Sequence, residues 1–148
     1  MSDCYRASAL GILLLAITIS GCERTGPPRV VVAGTVTYEG DPVVNGQIRF
    51  TPSKGSTGPT SIAVISNGAY RADHRGGVPV ATQRVEILAY RPDPGYQNQT
   101  KNVPPMFTPE EWPPKLQYLP EKYGAKSELE MVVQAGRGEI HKNFDLIK

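Results

Sequence analysis

The side chains with reactive chemistry to offer are two histidines, two cysteines and a scatter of serines and acids. His74 stands in "ADHRGG" next to Asp73, and Ser66 precedes them by a short stretch. A nucleophile, a base and an orienting carboxylate can be composed from Ser66, His74 and Asp73 on paper. No Gly-x-Ser-x-Gly elbow surrounds Ser66, so nothing in the sequence would present its hydroxyl to a substrate. The plain reading of His74 is a solvated turn residue, and His141 alternates outward on a predicted strand. Asp73 and His74 therefore mark only the alternative reading, a hydrolytic or small-ligand-binding protein.

Metal chemistry has less support. The cysteines and histidines lack the spacing of a zinc site, and Asp41, Asp73 and Asp93 are scattered where a calcium loop is dense in acids. The reading expects no metal and no other cofactor. "KGSTG" at 54–58 is glycine-rich but opens no helix, so it makes no phosphate cradle. "NQT" at Asn98 fits a glycosylation sequon, a short pattern that carries meaning only where a glycosylating secretory route exists.

Cys22 could be a reactive thiol, a disulfide partner of Cys4 or a metal ligand. Its context points elsewhere. Residues 7–19, "ASALGILLLAITI", form an uncharged apolar run. The run is short for a membrane span and suits the core of a signal peptide. Arg6 supplies a thin positive flank, partly offset by Asp3. Ser20 and Gly21 then lead into Cys22, and "ISGC" resembles the lipobox of bacterial lipoproteins, with Ile19 where Leu is commonest. That resemblance implies alkylation of the Cys22 sulfur by a diacylglyceryl group, cleavage before Cys22, and acylation of the new amino group by a chain such as palmitate. Cys4 would leave with residues 1–21, so a lasting disulfide is not expected. An ordinary cleaved signal and an uncleaved anchor are the alternatives. Glu23 follows the cysteine where an Asp would mark inner-membrane retention, which favours the outer membrane.

The division expected is a signal peptide at 1–21, a polar linker at 22–28 ("CERTGPP") and one domain at 29–148. Sixteen Lys and Arg against fourteen Asp and Glu leave a formal net charge of +2, too even to argue for nucleic acid. Fifteen glycines and fourteen prolines fall mostly between apolar runs and suit a protein of many turns.

From Arg29 onward, short runs rich in Val, Ile, Thr and Tyr alternate with turns. "RVVVAGTVTY" (29–38) sets Val30, Val32, Val36 and Tyr38 at period two. "QIRFTP" (47–52) turns Ile48 and Phe50 inward, and "TSIAVIS" (60–66) is apolar on both faces. Asn67-Gly68 is a strong hairpin signal, from which "AYRAD" (69–73) pairs back. "VATQRVEILAY" (80–90) points Val85, Ile87 and Ala89 one way and Arg84, Glu86 and Leu88 the other. "KSELEMVVQ" (126–134) and "EIHKNFDLI" (139–147) finish the chain, with "AGRG" (135–138) read as the hairpin loop between them. The expectation is an all-β fold, a seven-stranded antiparallel two-sheet sandwich, with a closed barrel as the alternative.

The segments "VAGTVTYEGDPVVNGQIRFTP", "VISNGAYRA", "GVPVATQRVEILA" and the closing "NFDL" resemble carboxypeptidase regulatory-like domains, the transthyretin-like (prealbumin-like) sandwiches of bacterial envelope proteins. Gly34, Val36, Gly40, Pro42, Gly46, Phe50, Gly68, Tyr70 and Gly77 occupy the positions of that pattern, which covers residues 30 to 90. The matching residues serve turns and core, so the resemblance implies a fold and says little of function. Some transthyretin-like proteins are hydroxyisourate hydrolases with a C-terminal Tyr-Arg-Gly-Ser. This chain ends "FDLIK", which does not support that activity.

Residues 91–125 depart from the pattern as a long proline-rich loop holding Tyr96, Phe107, Trp112, Tyr118 and Tyr123. Loops of such length in a compact domain are usually functional or mobile. Phe107, Trp112 and Tyr118 are the candidate contacts for an envelope protein, peptidoglycan or glycan partner. The competing reading has Trp112, Leu116 and Tyr118 fold back to cap an open end of the sandwich, with "LPEKY" as a short helical piece. The function expected is that of a non-enzymatic binding or structural module of the cell envelope, held to a membrane by lipid on Cys22.

Overall fold

The computed structural model describes residues 26–95, 106, 115–136 and 138–148. They form an all-β protein. The strands are β1 (Arg29–Val30), β2 (Val32–Tyr38), β3 (Asp41–Pro42), β4 (Asn45–Pro52), β5 (Ser61–Ser66), β6 (Ala69–Ala72), β7 (Val78–Pro79), β8 (Ala81–Pro92), β9 (Lys115–Gln117), β10 (Glu130–Val133), β11 (Ile140–His141) and β12 (Phe144–Leu146). Single 3₁₀ turns lie at His74–Gly76 and Glu121–Tyr123. Every segment expected from its alternation contains strand, and "LPEKY" does hold a short helical turn.

The main hydrogen-bonded path runs β10-β8-β4-β5-β6-β2-β11, with β12 and β3 also on β2 and β9 on β8. β1 and β7 make a separate two-stranded pair. Period-two side chains build the interior as the pattern demands. Ile48 and Phe50 on β4, and Val85, Ile87 and Ala89 on β8, are wholly buried. Burying each larger apolar side chain contributes about 1.5–3 kcal/mol. The sheet curls over this core: Phe50 on β4 meets Tyr70 on β6 at 6.2 Å between ring centroids, and Tyr70 meets Phe144 on β12 at 6.2 Å. The outward residues of β4 and β8 include a charge cluster, Arg49 reaching Glu86 at 3.6 Å and Arg84 pairing with the same carboxylate.

The Asn67-Gly68 hairpin forms as expected, with both residues at positive φ (48° and 81°) and Ser66 opposite Ala69. Asparagine and glycine are the residues that adopt this turn at least cost.

The C-terminal strands correct the sequence expectation. The segment 135–138 is not a hairpin loop. β10 joins the edge of β8 antiparallel, Met131 opposite Gln83, whereas β11 and β12 lie on β2 in parallel, Ile140 opposite Val32 and Phe144 opposite Val36. The chain thus crosses from one edge of the path to the other and enters beside the start of β2, so it must run in the same direction. The first and last expected strands are each divided in two, and β3, β7 and β9 are short additions that no periodicity announces.

The break between β11 and β12 explains Gly34. The Lys142 carbonyl passes so close to Gly34 that a Cβ there would overlap it. Tyr70 Oη donates to that same carbonyl at 2.7 Å, and Asn143 Oδ1 accepts from the Thr35 N–H at 3.0 Å. Burial pushes the Tyr70 phenol well above its ordinary range, so the donor keeps its proton. Gly34→Ala is expected to force the terminal strands off β2 and cost about 3 kcal/mol, read as a lowered denaturant midpoint. An unchanged midpoint would show that β11 and β12 dock more loosely than this.

The proline-rich segment also differs from a simple loop. β8 continues to Pro92, and β9 returns along it, Tyr90 opposite Gln117. From there the chain bridges two edges. Tyr118 N–H donates to Ala89 O at 3.2 Å, Ser127 Oγ donates to Val85 O, and Tyr123 Oη donates to Ile147 O at 2.8 Å. Leu119 and Tyr123 are buried in the core cluster. Of the residues expected to fold back, Tyr118 packs against this cluster and Leu116 is exposed. Trp112 lies outside the described residues.

Candidate functional site

A groove of about 610 Å³ opens where β2 ends and β8 runs on past the rest of the sheet. That volume is in the range of small-ligand pockets. Each wall follows from local structure. Tyr38 is the last residue of β2, Asp41 and Pro42 form β3, Val44 leads into β4 and Asn45 begins it. Tyr90, Arg91 and Pro92 extend β8, Lys115 begins β9, and Tyr118 follows it.

Tyr118 organises the floor. Its ring meets Tyr38 edge-on, with centroids 6.1 Å apart and planes at 62°. The Arg91 guanidinium lies 5.3 Å from the same ring centroid. Edge-to-face pairs and cations over a ring face are both attractive through the ring quadrupole. Burial pushes the Tyr118 hydroxyl up; Arg91 pulls it down, but the direction remains upward, so the phenol is a neutral donor at physiological pH. The groove thus offers aromatic faces, the cations of Arg91 and Lys115, and one carboxylate, Asp41. It can stack against a flat or apolar group and orient an anionic one.

Of the residues singled out from the sequence, Tyr118 lies in this groove. Phe107 and Trp112, its expected companions, lie outside the described residues, as does Cys22. Tyr38, Tyr90 and Arg91 were missed. Their signal was an aromatic or cationic residue at a strand end: Tyr38 closes β2, and Tyr90 and Arg91 stand where β8 continues past the expected 80–90.

The structure separates the paper triad. Ser66 closes the hairpin opposite Ala69, and His74 lies beyond the other end of β6. Five residues of extended chain put them on the order of 15 Å apart. The Asp73 carboxylate is held by Arg71 at 3.2 Å. The serine near the His74 turn is Ser61, which is buried; its Oγ donates to Gly77 O at 3.1 Å and accepts from Arg29 at 3.4 Å. His141 is exposed, 3.7 Å from Glu139, and Lys54 of "KGSTG" is paired with Glu130. Asp93 is turned to its own loop, accepting from the Gly95 N–H at 2.9 Å. Among the described residues, no three His, Cys, Asp or Glu side chains converge as a metal site would require.

No protein-family model, curated protein or solved structure matches this chain. Among the described residues, no helix is long and apolar enough to cross a membrane.

Proposed function

We propose that this chain is a lipid-anchored module of the bacterial cell envelope. A transthyretin-like β-sandwich of the carboxypeptidase regulatory-like type is tethered through acylated Cys22, preferentially to the outer membrane. It catalyses no reaction and holds an envelope protein, peptidoglycan or glycan partner. One observation carries the reading: the uncharged run at 7–19 ends in Ser20-Gly21-Cys22 and gives way at once to a polar spacer. Residues 1–21 form the signal peptide and 22–28 the linker. The curled all-β domain suits the sandwich.

The groove supplies the face turned to the partner. Tyr38 and Tyr90 stand on strands and Tyr118 is tied to β8 through its N–H, so their positions are fixed before binding, which lowers the entropy lost on association. The expected test uses in-cell crosslinking from a photoreactive residue at Val44, on the groove's rim. Arg91→Glu combined with Tyr118→Ser should reduce the captured partner by about tenfold or more, the loss expected from one central contact. Far-ultraviolet circular dichroism of the variant should be unchanged. Undiminished capture by the folded double variant would overturn the assignment of this face.

A further inference from the structure

β5 pairs with β4 along its whole length, Asn45 opposite Ser66 through Phe50 opposite Ser61. On its other side only Ile65 and Ser66 meet β6. β6 then departs to pair with β2 from Ala69 to Ala72. In an antiparallel ladder, alternate residues direct both backbone groups to the same neighbour. Ser66 and Ala69 close the two-residue hairpin, so Ile62 and Val64, in phase with Ser66, turn N–H and C=O to this side; the Ile65–Tyr70 pairing occupies the Val64 carbonyl, which leaves the Val64 N–H and both groups of Ile62 open. Among the described residues no ladder takes the Val64 N–H or either backbone group of Ile62.

Edges of this kind are normally guarded by charge, proline or a bulge. "SIAVIS" has none of these, and the side chains of Ile62 and Val64 are 47% and 71% exposed. β-Branched residues on an open edge are the surface to which an added strand packs.

The edge ends in a cationic recess. At its Ser61 end lies a cavity of about 190 Å³ whose walls include Arg29, Thr60, His74 and Arg75. Arg75 is held in the left-handed region (φ 53°, ψ 28°) within the 3₁₀ turn. Arg29 is fixed by donation to Gly77 O at 2.7 Å and to Ser61 Oγ. Among the described residues, neither arginine has a carboxylate within ion-pair distance; Asp73 is engaged by Arg71.

Direction joins the two features. A strand added antiparallel to β5 runs from the Ser66 end towards the Ser61 end. Its C-terminus therefore arrives at Arg29 and Arg75. We propose that the free edge of β5 is a strand-addition site for an extended peptide of β-branched residues ending in a free C-terminal carboxylate. Backbone pairing to Ile62 and Val64 supplies affinity, and the recess selects the terminus. This surface is separate from the tyrosine groove and stands or falls without it.

The test uses the full chain in detergent micelles and an N-terminally labelled peptide, Thr-Val-Thr-Val-Thr-Val, as free acid and as C-terminal amide. Fluorescence polarisation should show the acid binding about tenfold more tightly, the effect of one charge-assisted hydrogen bond. Arg75→Gln should bring acid and amide within about twofold while binding persists. Val64→Pro removes an N–H from the open side without touching the β4 ladder and should abolish binding of both peptides. Ile62→Lys, which leaves the backbone intact, should weaken both and guards against misfolding of the proline variant. The proposal is overturned by equal binding of acid and amide, by no binding to the folded chain, or by unaltered binding to both edge variants. A concentration-dependent dimer dissolved by Ile62→Lys would also overturn it, since the edge would then belong to a second copy.

Discussion

Replacing Tyr123 with alanine is expected to destabilise the chain by about 3–5 kcal/mol, the range for deleting a buried aromatic ring. In a domain of this size that lowers Tm by roughly 10–20 °C in a thermal melt. Tyr123 comes from the segment for which sequence reading leaves partner loop and cap both open, and on the first of these substitution would leave stability untouched. Its surroundings decide otherwise. The ring is 7% exposed and packs in the core with Leu119. Its hydroxyl donates to Ile147 O at 2.8 Å and accepts from Ile147 N–H at 3.0 Å, tying the 3₁₀ turn to the end of β12.

Tyr123→Phe separates the two contributions. Ile147 is itself well exposed, so water can replace the lost bonds, and a cost of about 1 kcal/mol is expected. A loss below about 1 kcal/mol for Tyr123→Ala would contradict the cap.

Legibility in the sequence followed periodicity. Val85, Ile87 and Ala89 alternate over a long strand, and each is buried where the pattern puts it. The Asn67-Gly68 turn was readable because positive φ restricts the residues that fit. Pairing partners were not readable. The alternation of Phe144 and Leu146 says which face is buried, but a period of two is the same for parallel and antiparallel neighbours. The docking of β12 on β2 depends on where the chain enters, and that is a long-range property. Gly34 carried a signal, a strand-interior glycine, whose partner at Lys142 lies far along the chain.

The site was legible only in part. Tyr118 was picked out for being aromatic among prolines, and it does face the groove. Tyr38 was read as a core residue and is half-buried, with its ring turned to Tyr118. Leu119 and Tyr123 belong to no repeating pattern, so hydrophobicity alone could not say that they, and not Leu116, close the interior. Gln83 is the opposite case: a polar residue on the buried face of β8, its amide nitrogen donating to Pro79 O at 2.8 Å.

The second large effect concerns Cys22. On the proposed reading, diacylglycerol on its sulfur and a further chain on its amino group anchor the protein. Each buried methylene contributes about 0.8 kcal/mol, so two or three chains hold stably where one is marginal. Cys22→Ser removes the nucleophile that takes the lipid. Incorporation of an alkyne-labelled palmitate should fall to background, and the tyrosine groove should be unaffected. The fraction resisting extraction by alkaline carbonate should fall with it. Undiminished fatty-acid labelling of the serine variant would exclude lipidation at this position.

The most direct measurement is mass spectrometry of the N-terminal peptide of the protein isolated from membranes. The proposal predicts a peptide that begins at Cys22, followed by Glu23 and Arg24, and carries diacylglycerol on sulfur. A peptide that begins at any other residue, or one that shows Cys22 as an unmodified thiol, would contradict it.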